Sequence, residues 1–321
     1  SEAMKQRRAL ILGGDGQIGR ALSSHLVLRG WDVTCATRSR RNAIDGARCV
    51  IADASNGEAI REALSPHCDL LISAVAFDEN DAKVLSDISH SVGRLVAISS
   101  ASVYRDEFGR TLDEAGDSGF PAFKGPIEVT HPTVDPAPET YSTRKIAMER
   151  TLLGRCRCPV TILRPCAIHG AYSRHAREWW FVKRILDNRS HVPLAYGGRS
   201  RFQTTSTQAI ATAVLRSLAD ESTNIWNVVD ADSPTVAEIG ATIAKHFGVR
   251  LSMWTPTETD QAPSLGRTPW SIPLDVIPVN SGPIHATYAE TVGPALDWLA
   301  SAVPVVGWEK HLPPLAAYPL D

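Results

Sequence analysis

Short apolar runs alternate with amphipathic stretches along most of this chain. Ala9-Leu10-Ile11-Leu12 is continuously apolar, the reading of a strand buried on both faces. Ile18 to Arg29 carries apolar residues at Ile18, Leu22, Leu26 and Val27, which is helical spacing. Strand-like runs follow at Trp31 to Thr37, Arg48 to Ala52, Asp69 to Val75, Arg94 to Ser99 and Val160 to Pro165. Helical stretches between them run from Gly57 to Leu64, Asp81 to His90 and Tyr141 to Leu153. The alternation predicts an α/β fold built on a doubly wound parallel sheet. Further on, Glu178 to Leu186, Thr235 to Phe247 and Tyr288 to Leu299 read as helices. Val236, Ile239, Ile243 and Phe247 give the middle one an apolar face. Residues 105 to 140 hold five prolines and read as a long loop, and 254 to 284 as a second irregular stretch.

The first strand and helix are joined by Gly13-Gly14-Asp15-Gly16-Gln17-Ile18-Gly19. Gly13 lets the chain leave the strand at angles a Cβ forbids. Gly16 leaves room for a pyrophosphate, and Gly19 lets the helix pack close to the sheet. The N–H groups at the helix start, around Gln17 and Ile18, offer partial positive charge to phosphate. The turn therefore predicts dinucleotide binding. The end of the second strand chooses the dinucleotide. It reads Thr37-Arg38-Ser39-Arg40-Arg41, with no carboxylate for a ribose 2′-hydroxyl. Arg38 offers a planar fork to a 2′-phosphate and Ser39 a hydroxyl, so NADP is favoured over NAD. Asp53-Ala54 ends the third strand, where an acidic residue reaches an adenine amino group. Ala74-Val75 leaves the fourth strand facing the cofactor.

Composition narrows the partners. The 321 residues are 43% hydrophobic, enough for a large core, and 33 basic against 35 acidic residues leave a net charge of −2. That balance disfavours nucleic acid as a partner. None of the six cysteines (Cys35, Cys49, Cys68, Cys156, Cys158, Cys166) forms a C-x-x-C pair. They read as reduced, buried thiols of a cytoplasmic protein, and no metal site is expected. No apolar run reaches 18 residues, so no membrane span is expected.

The fifth strand ends in Ser99-Ser100-Ala101-Ser102-Val103-Tyr104, and Tyr141-Ser142-Thr143-Arg144-Lys145 opens the helix after the long loop. Tyr and Lys four apart share a helix face. A nearby ammonium stabilises a phenolate and lowers its pKa from about 10. A serine hydroxyl can hold a substrate oxygen. Together these groups move a proton while a nicotinamide moves a hydride.

The order of G-x-x-G-x-x-G, S-S-x-S-V-Y and Y-x-x-x-K resembles the extended short-chain dehydrogenase/reductase family of the NAD-dependent epimerase/dehydratase type, which has a Rossmann fold. Val160-Thr161-Ile162-Leu163-Arg164-Pro165 followed by Ile168-His169-Gly170 is similar to the family's R-P-x-x-x-Y-G, with His169 at the tyrosine position. Gly197 to Gln203 is similar to its G-x-G-x-x-R-x-Q, and Asn227 stands at its last-strand asparagine. The resemblance implies that Ser100, Tyr141 and Lys145 are catalytic, that Lys145 and Pro165 border the cofactor, and that Ser102, His169 and Arg201 are candidates for the substrate. It implies a dinucleotide unit at residues 4–170, completed by 204–229. A smaller α+β lobe at 171–203 and 230–321 would bind the substrate. Three departures stand out. Ser100 and Tyr141 are 41 residues apart, longer than usual. Thr207-Gln208-Ala209-Ile210-Ala211 lacks the family's aspartates, and Ser100-Ala101-Ser102 replaces the Thr-Asp-Glu of sugar 4,6-dehydratases. The pattern is closest to a subgroup that includes chloroplast stem-loop RNA-binding proteins. The expected function is an NAD(P)-dependent oxidoreductase acting on a carbonyl or hydroxyl carbon of a small polar substrate, with nucleotide sugars as candidates. The competing expectation is a non-catalytic binding or regulatory protein that contacts RNA. A homodimer is left open.

Overall fold

In the computed structural model, which describes residues 5–39, 44–257, 265–283 and 286–318, the continuous apolar run of the sequence becomes the middle of a sheet. The first elements are β1 (Arg8–Leu12), α1 (Gln17–Leu28), β2 (Asp32–Thr37), β3 (Arg48–Ile51), α2 (Gly57–Leu64), β4 (Cys68–Ser73), α3 (Glu79–Ile88) and β5 (Val92–Ile98). After the long loop, which holds only the short α4 (Ala115–Ser118), come α5 (Tyr141–Arg155), β6 (Val160–Pro165) and β7 (Ala167–His169). The remainder is α6 (Trp179–Leu186), β8 (His191–Pro193), β9 (Thr204–Ser206), α7 (Thr207–Ser217), β10 (Asn224–Val228), α8 (Val236–His246), β11 (Ser252–Trp254), α9 (Tyr288–Thr291) and α10 (Gly293–Ala302).

Seven strands form one sheet in the order β10-β6-β5-β4-β1-β2-β3. Every pairing in it is parallel. Parallel crossovers put helices on both faces, so Leu10, Ile11 and Leu12 are all buried. One apolar layer lies between the sheet and α1 with α7, the other between the sheet and α2, α3 and α5. The connections run one way from β1 to β3 and the other way from β4 onward. The strand order therefore reverses between β1 and β4, where a crevice opens at the carboxyl ends of the strands.

A separate apolar cluster joins α6, α8 and α10 with Trp270, Trp308 and Leu315. Trp179 and Trp180 are buried in it. The predicted helix from Tyr288 to Leu299 is two helices. Pro294 has no N–H for a continuing helix, and α10 restarts at Gly293. The cysteine expectation also needs correcting. Cys35 and Cys68 are buried, but Cys49 is exposed because β3 is the edge strand, and Cys156, Cys158 and Cys166 are intermediate. Arg40 and Arg41 lie outside the described residues.

The long loop is irregular but pinned. Asp106 accepts from the Phe108, Arg110 and Ala122 N–H groups and from Arg110 Nε, each at 2.8–2.9 Å. Burial works against its charge, but these bonds win and lower its pKa to about 2. Ile127 exchanges backbone hydrogen bonds with Ile277 and Val279, both 2.8 Å, tying the loop to the C-terminal part of the chain.

Candidate functional site

The crevice begins at the glycine turn. Gly13 has φ +75°, and a Cβ there would stand 2.4 Å from Val75 Cγ1. A Cβ on Gly19 would stand 2.4 Å from Gly13 O and 2.5 Å from Gly14 Cα, so only glycine lets α1 approach the turn. Gly14 is equally constrained, 2.5 Å from Cys35 Cβ, a packing role the motif alone did not reveal. Gly16 differs. Its φ of −81° suits any residue, and a Cβ would meet only Gly13 O at 3.6 Å. It faces open space at the start of α1. The helices α2, α3, α5, α7 and α8 each begin with a side-chain oxygen accepting from the first turn, whereas α1 begins at Gly16 with none. The first N–H groups of α1 are thus left for an anion, and the residues present fit a dinucleotide pyrophosphate. Gln17 turns its side chain away and donates to Gly170 O at 3.3 Å, while Ile18 packs on the core.

A cavity of about 590 Å³ extends from this turn. Gly13, Arg38, Ser39, Asp53, Ala54 and Val75 all line it. Ala74 sits beside them, its N–H donating to Leu12 O at 3.2 Å. Arg38 is exposed, with Nε 3.7 Å from Asp53 Oδ2. Asp53 also accepts from the Ser55 hydroxyl and N–H, and these bonds, then Arg38, lower its pKa.

The Ser-Tyr-Lys residues converge at the next part of the crevice. Ser100 follows β5, and its Oγ accepts from Ser102 N at 3.0 Å. Tyr141 is the first residue of α5, fixed by a capping box between Thr140 and Thr143. Ser100 lies beside its phenol and favours the phenolate. Lys145 Nζ is 5.8 Å from the Tyr141 ring centroid and donates to Ala76 O at 2.9 Å and Ile98 O at 3.0 Å. Burial lowers its pKa to about 8, against the pull of Glu149, Asp81 and Asp113.

The phenol does not behave as the bare Tyr-Lys spacing suggests. Burial and then Asp113 push Tyr141 up to about 12, and Ser100 only partly opposes them. The expected fall toward neutrality is absent because burial, reinforced by the Asp113 carboxylate of the enlarged loop, disfavours the phenolate. Tyr141 therefore keeps its proton at neutral pH, as a proton donor must.

The loop reaches the site through two acidic residues the motifs did not show. Glu114 accepts from Ser142 N at 2.9 Å and Ser142 Oγ at 2.7 Å, clamping the start of α5. Asp113 N donates to Ser102 Oγ at 3.0 Å. Burial and Glu114 raise the Asp113 pKa, while Arg177 and Lys145 oppose. Arg177 lies over the Phe202 ring at 5.5 Å with a buried Nε that has no partner. Glu149 was legible in hindsight, four residues beyond Lys145 on the same helix face. It accepts from Ser99 Oγ at 2.5 Å and from Arg164 Nε and Nη2 at 3.1 and 2.7 Å. Arg164 in turn donates to the Tyr104 hydroxyl, which donates to Asn227 Oδ1.

The three substrate candidates are engaged elsewhere. His169 is buried, with Nε2 2.7 Å from Asp230 Oδ2 and its ring against Tyr288. Ser102 Oγ is held by Ser142 and by Asp113 N. Arg201 donates to Ser233 O. Pro165 is buried at the end of β6, beside Val228. Among the described residues no helix is long and apolar enough to cross a membrane.

No curated protein matches the sequence. Solved structures do match the fold. The dTDP-glucose 4,6-dehydratase of Bacillus anthracis, solved with NAD, is 14% identical with a TM-score of 0.68, covering 96% of this chain and 99% of that one. The Bordetella bronchiseptica enzyme WbmG, solved with NAD and UDP, is 18% identical with a TM-score of 0.68, over 93% and 96%. The UDP-glucose 4-epimerase of Thermotoga maritima, solved with UDP-glucose, is 14% identical with a TM-score of 0.66, over 91% and 98%. The family model described as the NAD dependent epimerase/dehydratase family matches residues 9–228, which hold the glycine turn, Ser100, Tyr141 and Lys145. The chain belongs to the NAD dependent epimerase/dehydratase family and has the fold of its NAD-dependent enzymes.

Proposed function

We propose that this protein is an NAD(P)-dependent oxidoreductase of the epimerase/dehydratase type, using Ser100, Tyr141 and Lys145 on a small polar substrate, with nucleotide sugars the leading class. The observation that carries the reading is the buried Lys145, held by Ala76 O and Ile98 O with its Nζ 5.8 Å from the Tyr141 ring, with Ser100 beside the phenol, at the carboxyl edge of the sheet and next to the glycine turn. When bound, the nicotinamide supplies or accepts the hydride. Ser100 orients the substrate oxygen. Tyr141 gives that oxygen a proton in the reducing direction and takes it back in the other. Lys145, held by Ala76 O and Ile98 O, keeps positive charge beside the phenol and borders the cofactor ribose.

NADP(H) is favoured over NAD(H). Arg38 is exposed at the cavity rim beside Ser39, and no carboxylate at the end of β2 competes for a ribose 2′-hydroxyl. Nucleotide sugars are supported by the ligands of the Bordetella and Thermotoga enzymes. The segments 171–203 and 230–321 are the substrate-binding part in this reading. The test is a panel of UDP- and dTDP-sugars and simple carbonyl compounds, with NADPH or NADH, for wild type and Tyr141→Phe. Turnover by wild type, reduced roughly 10²–10⁴-fold in the variant with cofactor binding retained, is the expected result. Undiminished turnover by Tyr141→Phe overturns the assignment.

A further inference from the structure

One helix grips the end of β5 twice. Lys145 Nζ on α5 donates to Ile98 O at 3.0 Å, and the next residue, Ser99, donates its hydroxyl to Glu149 Oε2 at 2.5 Å. Lys145 and Glu149 are four apart and share a helix face. Ser100 follows in extended chain, φ −156° and ψ 145°, where successive side chains point to opposite sides. Fixing the Ser99 side chain therefore also fixes the direction of Ser100. The carboxylate is itself held. Arg164 on β6 meets it with two bonds, Nε to Oε2 at 3.1 Å and Nη2 to Oε1 at 2.7 Å, and both side chains are buried. Such a pair already satisfies both charges. Glu149 nonetheless takes a third donor, from the residue beside Ser100.

We propose that Glu149 is a positioning residue for the catalytic groups: its carboxylate, anchored by Arg164, sets the direction of Ser100 through Ser99 and supplies the buried negative charge that Lys145 faces. The proposal rests on the roles given to Ser100 and Lys145 above.

The surroundings of Lys145 make that charge count. On α5 itself Glu149 lies one turn further on and the Tyr141 phenol one turn back. The α3 helix contributes Asp81, and the long loop contributes Asp113. The exits of β4 and β5 contribute the neutral carbonyls of Ala76 and Ile98, and β6 contributes Arg164, paired with Glu149. Burial disfavours the ammonium, and Glu149 is the largest of the three carboxylate charges that oppose this. Asp81 is also engaged by Phe77 N, which donates to it at 2.8 Å. Asp113 comes from the loop rather than from the helix that carries Lys145. Glu149 is thus the carboxylate fixed to Lys145 by the helix and to Ser100 by the strand.

A lysine titration tests it without cofactor, substrate or turnover, so its outcome is separate from that of the substrate panel. Protein labelled with carbon-13 at lysine Cε is titrated by NMR, with the Lys145 signal assigned by its loss in Lys145→Arg. Wild-type Lys145 should titrate at about 8. Glu149→Gln keeps the shape and an acceptor for Ser99 but removes the charge. It should lower the midpoint by about one unit or more, a tenfold loss of proton affinity. Glu149→Asp restores the charge and should bring the midpoint back toward the wild-type value. Ser99→Ala keeps the charge and should leave the midpoint in place, while in the substrate panel it should lower kcat at nearly unchanged KM. Should Glu149→Gln not fold, the paired change Glu149→Gln with Arg164→Gln removes both buried charges and should still lower the midpoint. A folded Glu149→Gln protein whose Lys145 titrates with the wild type overturns the proposal. So does an equal shift in Ser99→Ala, and an unchanged kcat in that variant refutes the role toward Ser100.

Discussion

Replacing Gly16 and Gly19 separates cofactor binding from folding, because the two glycines are constrained by different things. At Gly16 the backbone is extended, and a Cβ meets one carbonyl at an ordinary 3.6 Å, so Gly16→Val projects its methyls into the open space at the start of α1, where the pyrophosphate is expected. The cost to the fold is the poorer N-cap, about 1 kcal/mol. That lowers Tm by about 2 °C in a chain of this size. At Gly19 even alanine puts a carbon 2.4 Å from Gly13 O and 2.5 Å from Gly14 Cα. Both are backbone atoms, so α1 must move off the turn, an overpacking cost of about 3 kcal/mol. A cofactor present at 100 times its Kd stabilises the native state by about 2.7 kcal/mol. Thermal melts with and without NADPH read both effects. Gly16→Val should melt close to wild type without cofactor and gain nothing on its addition. Gly19→Ala should melt several degrees lower before any cofactor is added. The reasoning is refuted if Gly16→Val keeps the wild-type NADPH response, or if Gly19→Ala melts with the wild type.

Arg38→Ala should weaken NADPH binding about tenfold or more, the scale of one charge-assisted phosphate contact of about 1.5 kcal/mol, and leave NADH nearly unchanged; equal losses for both in a titration argue against a 2′-phosphate contact. Glu149→Ala leaves Arg164, whose side chain is 6% exposed, without its carboxylate, and should cost about 3–5 kcal/mol in chemical denaturation, far more than Glu149→Gln. Lys145 sets a pH dependence: its folded pKa of about 8 lies below the ordinary 10.5, so between these values the unfolded chain holds a proton that the native protein has released. Stability from this group therefore rises with pH from about 8 toward 10, and that slope should be shallower in Lys145→Met; identical slopes contradict the assignment.

Elements with a strong period were legible in the sequence to within two or three residues, because the sheet buries both faces of β1, β4 and β5 and leaves no choice of pattern. The edge strand β3 was legible as a strand, but the exposure of Cys49 was not, since edge position depends on strand order rather than local sequence. The glycine turn and the shared helix face of Tyr141 and Lys145 were legible because their spacing is local or helical. Asp113, Glu114 and Arg177 were not. They come from a loop and a connector with no period, and only the fold shows that they approach α5. His169 shows the opposite limit. It occupies a position that resembles a site motif, yet its environment is a buried pair with Asp230.

The loop contacts change how the triplet should be understood. A Tyr and Lys four apart, taken alone, argue for a phenol poised to lose its proton. Here Glu114 grips the first turn of α5 through Ser142, and Asp113 rests on Ser102, so a carboxylate beside the phenol is built into the framework. Ser102 and Ser142 are themselves 2.8 Å apart, which locks the end of β5 to the start of α5 and keeps Ser100 against Tyr141. The 40 residues between Ser100 and Tyr141 thus bring Asp113 beside the phenol and fix the start of α5. A protonated Tyr141 beside a raised-pKa Asp113 suits a reaction that begins by giving a proton to substrate oxygen, with Lys145 supplying the opposing charge as the phenolate forms.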